Sequence, residues 1–391
     1  MNPRRTPRRF RAVEERFSAG NRVMLLRDGS EAFPAMLEAI EDARAQILLE
    51  MYWFASDRIG RRFADALTRA LGRGVEVLII YDSVGSFGVD PEMFRALERA
   101  GARVVEFNPI SPFSRRFKLA RLTRRNHRKI LVVDQRIGFT GGINIGDAWL
   151  ADEDNLEPFR DDMVMVEGPA VEGFVGCVRA SFRAATGVTP DLTPKQPIVR
   201  ESRLPEATEA VGARVLGERH YKNRREIFHA YMSHLYRAQE RAYIANAYFV
   251  PDRSVRTALI RAARRGVDVR VLLPGKSDVP IVAYASRATW SVLIRNGVRI
   301  YEWQDGILHS KTAVVDGNWS TVGTFNLDAL SLRWNAEVNL SVLDSRFGKA
   351  IERSFLMDLD RSREVDLRTF RYRSLSDRLL ELFAYRLRKF L

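Results

Sequence analysis

The pattern H-x-K-x-x-x-x-D occurs twice in this chain, at His127, Lys129 and Asp134 and again at His309, Lys311 and Asp316. Each copy continues in register, with a Gly seven residues beyond the Asp (Gly141, Gly323) and an Asn ten beyond it (Asn144, Asn326). Three fixed residue types recur by chance about once in 8,000 start positions, so a single copy in a chain of this length is roughly a 5% accident. Two copies with matched Gly and Asn are far harder to reach by accident, and each opens an apolar β-branched run (Ile130 to Val133, Thr312 to Val315). Two half-sites carrying the same groups predict one active site at a pseudo-twofold interface.

The duplication extends beyond the motifs. Leu67 to Val77 (LTRALGRGVEV) matches Leu259 to Val269 (LIRAARRGVDV), and both read as a helix end, a Gly cap (Gly74, Gly266) and a buried strand. An apolar strand precedes each (Ile47 to Phe54, Ala242 to Val250), and Leu97 to Phe107 and Leu293 to Trp303 repeat the order helix, Gly, strand. This alternation predicts an α/β fold of two similar halves, each a mostly parallel mixed sheet flanked by helices, packed as a pseudo-twofold dimer within one chain. The expected division is a basic N-terminal segment (1–21), a first half (22–187), a proline-bearing linker (188–212), a second half (213–360) and a basic amphipathic tail (361–391).

The halves differ in one place. Gly101 to His127 spans 26 residues and Gly297 to His309 only 12, so the first half carries an insertion before its motif. Asn108 to Asn126 contains Arg115, Arg116, Lys118, Arg121, Arg124 and Arg125 and no acid, interleaved with Ile110, Phe113, Phe117, Leu119 and Leu122. That mixture suits a lipid headgroup interface, the other reading being a solvated basic loop. In the tail, Leu375, Leu379, Leu382, Phe383, Leu387, Phe390 and Leu391 share one helical face, with Arg378, Arg386, Arg388 and Lys389 elsewhere. Packing on the body and contact with a membrane both fit it.

Lys and Arg total 63 against 49 Asp and Glu, a net charge of +14, which points to a polyanion or an anionic surface as partner. The single cysteine, Cys177, excludes an intramolecular disulfide, offers no zinc cluster and reads as a small buried residue. No run of about 18 apolar residues spans a bilayer. Met1 to Arg11 holds five arginines with no apolar stretch behind them, so it is not a secretory signal, and a peripheral location at the cytoplasmic face of the cell membrane is expected.

A His and a Lys two apart on a strand point to one face, so each half sets an imidazole beside an ammonium. Such neighbours repel a metal cation and suit a phosphate; no metal or cofactor is expected. Attack on a phosphodiester builds negative charge on the equatorial oxygens, where Lys129, Lys311, Asn144 and Asn326 can donate. One histidine can attack as a neutral nucleophile, giving a phosphohistidine, while the other protonates the leaving alkoxide and later deprotonates the incoming hydroxyl. Each imidazole then needs a partner on its second nitrogen. Glu337, in the alternating strand Asn335 to Asn339, and Asp161, in Arg160 to Val166, are the candidate orienting carboxylates. Asp134 and Asp316 are counted with the catalytic set by motif, although their strand ends also suit turn formation. His220, His229 and His234 lack repeat counterparts and read as structural.

These residues resemble the phospholipase D superfamily, whose signature is this duplicated motif, over roughly residues 22–360. Within it the chain is most similar to short-type bacterial cardiolipin synthases without N-terminal transmembrane helices. His127-Arg-Lys-Ile with Gly141-Gly-Ile-Asn144, Val166-Glu-Gly-Pro169, Ala245-Asn-Ala-Tyr-Phe249 and Val322-Gly-Thr-Phe-Asn-Leu-Asp328 carry that similarity. The resemblance implies metal-independent transfer of a phosphatidyl group from one phosphatidylglycerol to another, releasing glycerol, at an anionic phospholipid membrane. It also implies that His127 is the nucleophile and His309 the acid and base. The small hydroxyl residue often found after the motif Gly is Gly142 in the first half and Thr324 in the second, a modest departure, and Phe325 is bulky for a position beside the phosphate. The alternatives are a phospholipase D-type hydrolase and a nuclease using the +14 charge on nucleic acid, although no DNA-reading motif is present and no nucleic acid is expected as partner. The sequence leaves oligomeric state open.

Overall fold

The computed structural model describes residues 16–111, 124–151, 155, 157–196, 204, 210–217, 225–389 and 391. Most of the basic N-terminal segment, the centre of the first-half insertion (112–123), part of the linker and His220 lie outside the described residues.

The first half runs β1 (Ser18–Arg27), α1 (Asp28–Glu41), β2 (Gln46–Met51), α2 (Arg58–Gly72), β3 (Glu76–Asp82), α3 (Pro91–Arg99), β4 (Arg103–Phe107), β5 (Lys129–Val133), β6 (Ile137–Gly141), β7 (Asp162–Glu167) and α4 (Val171–Thr186). The second runs β8 (Val211–Gly217), α5 (Glu226–Arg237), β9 (Arg241–Asn246), α6 (Arg253–Arg264), β10 (Asp268–Lys276), α7 (Pro280–Ile294), β11 (Arg299–Ile307), β12 (Lys311–Val315), β13 (Trp319–Gly323), α8 (Ala329–Arg333), β14 (Val338–Leu343) and α9 (Ser345–Leu359). The tail adds β15 (Ser362–Glu364), α10 (Leu367–Phe370) and α11 (Leu375–Arg386). Local chemistry sets the repeated ends: Asp57 and Asp252 cap α2 and α6, and Gly74 and Gly266 leave them at φ +85° and +91°.

Hydrogen bonding joins the strands in one fifteen-stranded sheet, β15-β11-β10-β9-β12-β13-β14-β8-β1-β7-β6-β5-β2-β3-β4. Outward from the central β1/β8 pair the order repeats, so β7, β6, β5, β2, β3 and β4 correspond to β14, β13, β12, β9, β10 and β11. The halves are therefore alike and the sheet is mixed, as expected, but it is not mostly parallel. Parallel pairing is confined to β2-β3-β4 and β9-β10-β11, which α2, α3, α6 and α7 connect as crossovers. The motif strands β5-β6 and β12-β13 are joined by short turns, which force antiparallel pairing. Strand and helix alternate only in the outer part of each half.

Alternation along the strands divides the core. Ile47, Leu49 and Met51 face an outer cluster under α1 to α3, whereas Leu48 faces a central cluster that mixes Ile80, Ile130 and Val164 with Val215, Leu272 and Leu340 of the other half. Helices α4 and α9 fill this centre by packing across the pseudo-dyad. A Cβ on Gly173 of α4 would lie 2.6 Å from Val215 on β8, and Asp358 of α9 accepts from Arg27 of β1 at 2.8 Å. The interface between halves is thus a hydrophobic core. No helix among the described residues is long and apolar enough to cross a membrane.

Candidate active site

The motif strands end at the pseudo-dyad. Lys129 stands opposite Met51 at the C-terminal end of β2, and Lys311 opposite Asn246 at the C-terminal end of β9. Each lead-in is stitched to the other half: the His127 N–H donates to Ala336 O at 3.0 Å, and the His309 N–H donates to Arg160 O at 2.8 Å. This backbone exchange sets each histidine beside the carboxylate that follows the other motif. His127 Nδ1 lies 3.0 Å from Glu337 Oε2, and His309 Nδ1 lies 2.7 Å from Asp161 Oδ2. Lys129 Nζ donates to His127 O at 2.9 Å, and Lys311 Nζ repeats that bond to His309 O. All six side chains are buried.

Electrostatics separates the two pairs. Burial would raise Glu337, but the His127 charge and hydrogen bond, the Thr324 hydroxyl and Lys129 outweigh it and hold its carboxyl below the usual range. Thr324 Oγ1 donates at 2.5 Å and Ser331 Oγ at 2.8 Å. At the positions matching Thr324 and Ser331 the first half has Gly142 and Trp149. A Cβ on Gly142 would sit 2.1 Å from the Asp161 carboxylate, and the Trp149 indole donates to it at 3.2 Å. With no hydroxyl donor, Asp161 is pushed up to about 7, chiefly by burial and also by the adjacent Asp162. Burial and the neighbouring ammonium groups pull both imidazoles down, His309 well below its ordinary value. The Glu337 carboxyl is thus favoured in its ionised form, burial disfavours the charged form of His127, and the raised Asp161 lets its pair with His309 hold a proton near neutrality.

Lys129 is drawn down to about 7, first by burial and then by the charge of Lys311. Two buried lysines, one of them depressed by the charge of the other, suit an anion between them. A bound phosphate would raise Lys129, so the complex holds more protons than the empty site, and affinity should fall as pH rises through about 7. Asp161, ionising near 7, acts in the same direction. Calorimetry of binding of a phosphodiester anion that does not ionise near neutrality, such as dimethyl phosphate, in buffers of different ionisation heat should register proton uptake at pH 7; tighter binding at higher pH would contradict this.

Asn144 and Asn326 occupy equivalent places, their Oδ1 atoms accepting from the backbone N–H of Trp53 at 3.1 Å and Tyr248 at 3.3 Å. Both amides are thereby anchored beside the ends of β2 and β9. Asp134 and Asp316, counted by motif with the catalytic set, sit elsewhere. A strand rises about 3.3 Å per residue, which puts Asp134 roughly 20 Å from His127. Asp134 accepts from the N–H groups of Arg44, Ala45 and Gln46 at 3.0, 2.8 and 2.8 Å, and Asp316 from those of Gln239, Glu240 and Arg241 at 2.9, 2.8 and 3.0 Å. They clamp the entries of β2 and β9. Asp134→Ala should cost about 3 kcal/mol or more, since three charge-assisted bonds are lost and three donors orphaned. Urea denaturation checks it, and unchanged stability with lost turnover would contradict the clamp.

Several neighbours escaped the motif reading. The Tyr52 ring meets His127 edge-on at 4.9 Å and lies 4.9 Å from Lys129 Nζ, while Trp149, Phe159 and Tyr248 ring His309 at 5.5, 5.9 and 6.1 Å. The signal for Tyr52 and Tyr248 was only an aromatic near a strand end, and Trp149 and Phe159 had none. Phe325, expected beside the phosphate, instead faces the second-half core against Tyr231. Arg125 of the insertion is buried against Asp82, Ser83 and Asn108 rather than solvated. His234 stacks on Trp319 at 4.2 Å.

Comparison with known proteins supplies an independent line. A family model described as cardiolipin synthase, PLD-like domain, matches residues 36–167 and 231–359. A cardiolipin synthase of Geobacillus sp. (strain WCH70) is 35% identical over 364 residues, 93% of this chain and 71% of that protein. Cardiolipin synthase 1 of Bacillus anthracis is 34% identical over 92% of this chain and 70% of its own length. Among solved structures, the phosphatidylserine synthase of Haemophilus influenzae Rd KW20 superposes with a TM-score of 0.71 over 95% of both chains at 14% identity, a likeness of fold.

Proposed function

This chain belongs to the family of cardiolipin synthases built on the phospholipase D-like domain and is a phosphatidyltransferase of that kind; we propose that it moves a phosphatidyl group from one phosphatidylglycerol to a second through a phosphohistidine. The observation that carries the mechanism is the crossed pairing of two buried histidines with carboxylates of opposite electrostatic character. Glu337, ionised, accepts a hydrogen bond from His127 Nδ1–H, which fixes the tautomer and leaves the lone pair of Nε2 to attack phosphorus. The bond from phosphorus to the glycerol oxygen breaks as the His309–Asp161 pair delivers a proton to that oxygen, and glycerol leaves. The same pair then removes the proton from the terminal hydroxyl of a second phosphatidylglycerol, which attacks phosphorus, breaks the phosphorus–nitrogen bond and departs as cardiolipin. Lys129, Lys311 and the anchored amides of Asn144 and Asn326 suit the equatorial oxygens, where charge grows in both steps.

Substrates of this kind suit a peripheral position on an anionic membrane, and the cytoplasmic face is part of the same proposal. Purified protein given metal-free phosphatidylglycerol vesicles should form cardiolipin and glycerol, read by mass spectrometry of the lipids. Phosphatidic acid as sole product would make it a hydrolase, and cleavage of plasmid DNA without lipid turnover a nuclease.

A further inference from the structure

A surface helix normally buries its apolar stripe, and α11 does the reverse. Its buried positions are Glu381 and Ala384, whereas Leu375, Leu379, Leu382 and Phe383 stand 71, 60, 48 and 59% exposed. The helix is firmly seated in this orientation. Glu381 accepts from Arg373 at 2.8 and 2.5 Å, the Asp377 N–H donates to Ser374 Oγ at 3.0 Å, and Ala384 packs on Val250, Val282 and Ala285. Body packing, left open by the sequence, thus uses the polar and small face and turns the apolar face outward.

The charges are sorted in the same way. Glu381 is buried and Asp377, one turn before it on the same face, is half-buried, while every exposed charged residue from Leu375 to Lys389 is a base: Arg378, Arg386 and Lys389. The chain end also approaches the histidine site. Leu391 O accepts from the Ala329 N–H at 3.2 Å, and Leu391 packs against the same small cluster of Val250, Val282, Ala285 and Ala384 as Tyr248, whose ring lies 6.1 Å from His309. An apolar ridge bordered by cations beside this site matches an anionic lipid surface, with acyl chains under the leucines and phosphates beside the bases. A second copy of the chain would oppose like charges across the same face.

We propose that α11 docks the protein on an anionic phospholipid surface through Leu375, Leu379, Leu382 and Phe383, and so holds the mouth of the histidine site at headgroup level. The inference rests on the lipid reading for its purpose, but its test stands apart. Leu379→Ser combined with Phe383→Ser removes two exposed side chains, so the melting temperature should not change. Sedimentation with vesicles of phosphatidylglycerol and phosphatidylcholine should show at least an about tenfold weaker partition for the variant. Undiminished binding overturns the proposal. So does a wild-type dimer that the substitutions dissociate while vesicle binding stays unchanged, since the face would then belong to a second copy. If wild type binds and the variant does not, yet neither yields cardiolipin in the same vesicles, docking stands and the transfer reading fails.

Discussion

Replacing His127 or His309 by alanine is expected to abolish cardiolipin formation, by about 10⁴-fold or more for a nucleophile and about 10² to 10⁴-fold for a proton shuttle. The two losses should differ in kind. With phosphatidylglycerol the leaving group is an alkoxide that needs a proton, so both variants stall at the first step. With a phosphatidyl ester of p-nitrophenol the leaving group departs unprotonated. His309→Ala should then release a burst of about one equivalent of nitrophenol per site and stop, because nothing activates the second hydroxyl. His127→Ala should release none. The contrast rests on the buried pairs: Glu337 frees the ring of His127 to attack, and Asp161 lets its pair with His309 carry a proton.

The second large effect lies in those carboxylates. Glu337→Gln keeps the shape but offers His127 Nδ1 a neutral partner, so the ring loses its fixed tautomer; loss by roughly 10⁴-fold is expected by analogy with the Asp-to-Asn change in a Ser-His-Asp triad. Asp161→Asn acts through pH. With Asp161 near 7, its pair with His309 holds a transferable proton below that value and loses it above, so the wild-type rate should decline as pH rises through about 7. In Asp161→Asn that decline should vanish from the rate at saturating substrate, leaving at subsaturating substrate only the part that Lys129 carries. Thr324→Val removes a hydroxyl that keeps Glu337 ionised and should weaken activity first at low pH. Steady-state pH profiles of the three variants check the set; a profile for Asp161→Asn that matches wild type would remove Asp161 from proton transfer.

The sequence carried the site's inventory better than its wiring. His127, His309 and their lysines were legible because duplication repeats residue types at fixed spacing. Glu337 and Asp161 were legible as carboxylates on alternating strands. That each serves the histidine of the opposite half was not, because the exchange depends on the bonds of Ala336 and Arg160 across the pseudo-dyad, between residues 209 and 149 positions apart in the chain. The unequal environments were equally hidden. Gly142 read as a departure, yet its missing Cβ leaves room for Asp161, and Thr324 opposite it supplies the hydroxyl that Asp161 lacks. Asp134 and Asp316 recur as faithfully as the histidines, so repetition alone could not tell clamps from chemistry. The sheet was misjudged for a local reason, since the turns after Asp134 and Asp316 mark hairpins within an otherwise alternating pattern.

The central claim, that one histidine carries the phosphatidyl group while the other moves protons, is tested most directly by covalent trapping. His309→Ala incubated with the p-nitrophenyl ester, quenched and digested under alkaline conditions that preserve phosphohistidine, should give a peptide bearing the phosphatidyl group on His127. An adduct at His309 in the His127→Ala variant, with none at His127 in the converse experiment, would contradict the assignment.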